Sequence, residues 1–133
     1  MKNQLFALAT FVLGAFASAQ VLAHHSFAAE FDSEKPIDLH GVVTKVEWTN
    51  PHTYFYLDVK EENGEVARWG CEAGSPGALS RRGFKRGDLK LGDTIVVDGY
   101  RSRDGSRLID ARRVTLADGR IVSGASAGDG GPQ

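Results

Sequence analysis

The chain has 133 residues, 41% of them hydrophobic, and its 16 basic and 17 acidic side chains leave a formal charge of −1. That balance gives no electrostatic case for nucleic acid or an anionic membrane surface. A single cysteine, Cys71, rules out an intrachain disulfide.

Residues 1–23 read as a secretory signal peptide. Lys2 gives a positive start, Leu5 to Phe16 is an apolar run, and small residues follow as far as Ala23. No second apolar run approaches the ~20 residues that cross a bilayer. Cleavage after Val21-Leu22-Ala23 leaves a mature chain of about 110 residues, one ordinary domain, with no membrane span and a periplasmic or secreted location. It also makes His24 the N-terminus. A rival cut after Ala17-Ser18-Ala19 leaves Gln20 to Ala23 ahead of that histidine. No cysteine lies near either cut, which argues against a lipoprotein.

Residues 24–36 read as an extended lead-in, with Phe27 and Phe31 as its anchors. Leu39 to Trp48 is the first predicted strand, and period-two alternation puts Val42, Val46 and Trp48 on one face. Asn50-Pro51 breaks it. Thr53 to Lys60 is the second, with Phe55, Leu57 and Val59 inward and Tyr54, Tyr56 and Asp58 outward. Glu62-Asn63-Gly64 signals a hairpin turn into a third strand, Glu65 to Ala73, whose Ala67, Trp69 and Cys71 share a face.

A short helix follows, with Ser75 as N-cap, Pro76 in the first helical position and Gly83 as the stop. Ala78 and Leu79 face the core, while Arg81 and Arg82 face water. Thr94 to Tyr100 and Leu108 to Leu116 are the fourth and fifth strands, separated by Asp104-Gly105. Asp118-Gly119 turns towards Ile121-Val122, and residues 124–133 read as a disordered tail rich in Gly, Ala and Ser. Five strands with a helix between the third and fourth make an all-β fold: an OB-like Greek-key barrel over residues 37–123. A generic small β-sandwich is the alternative.

Four motifs carry a family resemblance: His24-His25-Ser26-Phe27-Ala28-Ala29-Glu30-Phe31-Asp32; Gly41-Val42-Val43 leading to Glu47-Trp48-Thr49-Asn50-Pro51-His52; Leu89-Lys90-Leu91-Gly92-Asp93; and Ala117-Asp118-Gly119-Arg120. Together these resemble a family of small bacterial exported proteins known only as a domain of unknown function. The resemblance covers nearly the whole mature chain and implies a periplasmic OB-like barrel. It implies no activity and no ligand.

The chemistry therefore rests on the histidines. The α-amine and imidazole of an N-terminal His24 form a chelate, and nitrogen donors of this kind suit copper(II) best among the divalent ions. His52, on the loop after Asn50-Pro51, supplies a third nitrogen, as in the copper arrangement known as a histidine brace, an analogy of chemistry alone. His25 replaces one of these ligands or acts as an outer donor. Glu30 or Asp32 is an axial ligand or orients an imidazole. Such binding weakens as pH falls, because amine and imidazole must be deprotonated. His40 begins the same strand that ends near His52, and ~10–12 residues at roughly 3.3 Å each keep the two apart. The competing reading makes these histidines solvated residues, with His52 hydrogen-bonded to backbone.

Tyr54, Tyr56, Trp48 and Arg68 suggest an outer aromatic-basic patch for a saccharide, peptide or protein partner, against simple cross-strand pairing. Arg81, Arg82, Lys85, Arg86 and Lys90 read as a solvated face rather than an anion site. Arg101, Arg103, Arg107, Arg112 and Arg113 alternate with acids as a mixed-charge surface. Burial is the expected state of Cys71. No catalytic motif is present: there is no G-x-S-x-G, no Ser-His-Asp order and no P-loop. The sequence reads as a binding protein and not an enzyme.

Overall fold

The computed structural model describes residues 27–125 and 131–132. The leader over residues 1–23, the pair His24-His25 and most of the expected tail lie outside the described residues. The described residues open with one helical turn, α1 (Phe27–Glu30), which runs directly into β1 (Phe31–Glu47). β2 (Thr53–Lys60), β3 (Val66–Ala73), α2 (Pro76–Arg81), a 3-10 turn (Arg86–Asp88), β4 (Thr94–Ser102), β5 (Leu108–Thr115) and β6 (Ile121–Ser123) follow.

Antiparallel pairing gives the order β3-β2-β1-β4-β5-β6, and a parallel pairing of β3 with β5 closes the first five strands into a ring. With α2 between β3 and β4, this is the OB-like barrel the pattern predicts. The closing seam is short: Gly70, Cys71 and Glu72 face Leu108, Ile109 and Asp110. Gly74 N–H extends it by donating to the Gly124 carbonyl at 2.9 Å, and Gly124 N–H donates to the Arg112 carbonyl at 3.0 Å. Gly124, expected in the tail, is thereby tied to the barrel, and the Ala125 carbonyl accepts from Arg82 at 2.9 Å.

β2 alternates as its composition dictates. Thr53, Phe55, Leu57 and Val59 are buried, while Tyr54, Tyr56 and Asp58 face outward. They meet Val43, Trp69, Cys71, Ile95, Val97, Ile109 and Val114 in one core. Ser75 caps α2 by accepting from Ala78 N–H at 3.3 Å. Gly83 ends it at φ +86°, a conformation L side chains rarely adopt. Leu79 and Phe84 then plug the adjacent barrel end, and Phe84 meets Trp48 and Phe55 edge-on at 5.5 and 6.4 Å.

β1 departs from the expected pattern in two ways. It starts at Phe31, eight residues early, because Phe31 pairs with Ser102 and the run from Pro36 pairs with β4 from Tyr100. Residues 32–36 give no alternation to read, since their side chains are exposed or half-buried on both faces. Val42 also points outward, 39% exposed, while Val43 is 1% exposed. The reason is a β-bulge at Thr44: Val43 faces Leu57, but Lys45 faces Tyr56. One extra residue reverses the parity, so Val46 and Trp48 pack inward after it. Thr44 Oγ1 holds the bulge by donating to the Tyr56 carbonyl at 3.2 Å.

Candidate functional site

His52 stands at the mouth of β2, directly after the cis Asn50–Pro51 bond. Its side chain is 30% exposed. Its Nδ1 lies 3.3 Å from the Ala73 carbonyl and 3.5 Å from Glu72 Oε1. Both neighbours are acceptors at neutral pH, so the contact with Ala73 is a hydrogen bond when Nδ1 carries the proton. The other carboxylate oxygen, Glu72 Oε2, accepts from the Tyr54 hydroxyl at 2.8 Å. Burial, then that hydrogen bond and the Glu72 charge, raise the Tyr54 hydroxyl well above its ordinary pKa. Glu30 adds to the rise through its charge, which ties the α1 turn to this corner.

α1 lies outside the barrel beside the closing seam. Phe27 is buried against Tyr100 edge-on at 5.5 Å, against Phe31 at 5.9 Å and under the Arg112 guanidinium at 4.8 Å. Both expected anchors are thus in place. Arg103 fastens the turn from the β4–β5 loop: its N–H donates to the Glu30 carbonyl and its Nε to the Ala28 carbonyl, at 2.9 and 2.7 Å. A cavity of 360 Å³ lies between them, lined by Ala29, Glu30, Tyr54, Glu72, Ser102, Arg103, Asp104 and Leu108. It occupies the position between the β2–β3 face and the β4–β5 loop that OB barrels use for ligands.

The structure therefore gathers Glu30, Tyr54, Glu72 and His52 in one corner. Asp32 faces other partners, Lys35 at 3.6 Å and Arg103 at 4.0 Å. His40 is set apart, 71% exposed and 3.2 Å from Asp38. Among the described residues no three His, Cys, Asp or Glu side chains converge to hold a metal ion, and His24 and His25 lie outside those residues. Cys71 is buried in the core, and burial pushes its thiol up. No described helix is long and apolar enough to cross a membrane.

Trp48 corrects the expected outer patch, because it packs inward on Phe84. Tyr56 donates to Glu47 at 3.0 Å and Arg68 to Asp58 at 3.1 Å, which is cross-strand pairing. The arginines also find acids: Arg107 binds Glu61, Arg112 binds Asp110 and Arg113 binds Asp98. Sequence reasoning passed over Glu72. The signal was present, since hairpin pairs mirror about the turn and reflection through Asn63 sends Tyr54 onto Glu72, the register observed.

The model of a family of unknown function (DUF6152) matches residues 13–109, and the chain belongs to that family. No curated protein and no solved structure matches it.

Proposed function

We propose that this member of the DUF6152 family is an exported periplasmic binding protein that takes up copper(II) for delivery, storage or sensing. The α-amine and imidazole of a mature N-terminal His24 supply two nitrogens and His52 the third, with His25 as a replacement or outer donor. The observation that carries this reading is the shared corner. Ala29 and Glu30 line the same cavity as Tyr54 and Glu72, and Glu72 touches His52. His24 lies three positions before the anchored Phe27, a span of up to about 10 Å. The leader-like sequence of residues 1–23 supports export.

The test is intact mass of the exported protein, then copper(II) titration of the same sample and of His52→Ala. A mass beginning at His24, one tight copper equivalent and weaker binding in the variant are the expected results. A mass beginning at Gln20, or copper affinity indifferent to His52, sinks the three-nitrogen site.

A second reading rests on the cavity itself. A metal-free OB-like module would use it, with the β2–β3 face, to bind a protein, peptide or saccharide partner. Under that reading His52→Ala leaves copper binding unchanged, while Tyr54→Ala abolishes partner binding.

A further inference from the structure

We infer that Glu72 is a positioning residue that fixes the ring of His52 so that Nε2 is its metal-binding atom. This rests on the copper reading for its purpose, though not for its geometry. Nδ1 faces two acceptors, the Ala73 carbonyl at 3.3 Å and Glu72 Oε1 at 3.5 Å. A neutral imidazole carries one ring proton, and these acceptors draw it to Nδ1. Nε2 then keeps its lone pair and makes no protein hydrogen bond among the described residues. The carboxylate is itself held. Tyr54 donates to Oε2 at 2.8 Å, and the Glu72 side chain is only 12% exposed. The order hydroxyl, carboxylate, imidazole, open nitrogen is the usual outer support of a metal-bound histidine. The backbone sets it up, because Tyr54 and Glu72 are paired across β2 and β3 and Thr53 is paired with Ala73.

The test is long-range proton–nitrogen correlation NMR on ¹⁵N-histidine-labelled mature protein, at a pH where the imidazoles are neutral and with no metal added. The His52 ring should show a protonated Nδ1 and a bare Nε2. Glu72→Gln, which keeps the side-chain shape, and Glu72→Ala should both move the population towards the Nε2–H tautomer. Tyr54→Phe should do so to a smaller degree. The same spectra report whether each variant is folded. Copper(II) affinity should fall about 10–100-fold in Glu72→Ala. A protonated Nε2 in the parent protein, or a tautomer balance untouched by Glu72→Gln, overturns the inference. If the tautomer follows Glu72 but copper binding ignores His52, the positioning role stands and the copper reading falls.

Discussion

Glu72 of β3 stands directly opposite Asp110 of β5 in the parallel ladder that closes the barrel. Their neighbours Cys71 and Ile109 are both in the core, so both carboxylates project from the outer face. Like charges so placed repel. The surrounding residues offset this, with Tyr54 and His52 on one carboxylate and Arg112 on the other. The seam's chemistry and the candidate site are one arrangement, because Glu72, the seam carboxylate held by Tyr54, also faces His52.

Arg112 should therefore matter more than an ordinary surface arginine. Its side chain is 11% exposed and that of Asp110 is 8% exposed, and it also covers the ring of Phe27. Arg112→Leu leaves a buried charge beside Glu72 and should cost about 3 kcal/mol in urea unfolding. Adding Asp110→Asn should recover much of it. A loss under about 1 kcal/mol would show that the pair does not hold the seam.

The bulge at Thr44 makes a test from adjacent valines. Val43→Ala removes buried methyl groups and should cost about 1–2 kcal/mol. Val42→Thr, on the outward side, should stay within about 0.5 kcal/mol. Thermal unfolding of both variants decides it, and the reverse ranking would place the bulge elsewhere.

Gly99 is required by a close approach. A Cβ there would meet the Asp110 carbonyl oxygen at 1.9 Å and its carbon at 2.9 Å, both backbone atoms. Gly99→Ala should lower stability by about 3 kcal/mol or prevent folding. Gly87→Ala, with open space around it, is the control and should express and melt like the parent.

Acid should loosen the Glu61–Arg107 pair. Arg107 donates to both Glu61 oxygens, at 2.9 and 3.1 Å, and those hydrogen bonds hold the Glu61 carboxyl below its ordinary 4.5. A carboxylate whose pKa is lower folded than unfolded stabilises the fold fully above the unfolded value. That contribution disappears as pH falls through the folded value. Glu61→Gln should thus flatten the decline in urea midpoint between about pH 5 and pH 2. An unchanged acid limb would rule the pair out as a contributor.

The ring of strands was legible because β2, β3 and α2 obey local rules: alternation, an Asn-Gly turn and a Ser-Pro helix start. β1 was legible only in part. Its first residues pair with β4 far along the chain, and no local period reports that. A bulge looks like any other residue until its partner strand is known, which is why Val42 read as core. His52 stood out as a histidine on a loop. Glu72 did not, because its meaning comes from Tyr54 across the hairpin and Asp110 across the seam.

The length of β1 also sets an order of events. Gly41 and Val42 pair on both sides, with Val59 and Asp58 of β2 and with Ile95 and Thr94 of β4. Before them β1 pairs with β4, and after them with β2. A chain emerging N-terminus first can assemble the β1–β2–β3 meander from near neighbours. The leading half of β1 has no mate until β4 appears, and the outer edge of β3, already paired with β2 on its other side, has none until β5 does. Two open edges therefore persist through synthesis, and ring closure is the late, long-range step on which the folding rate depends.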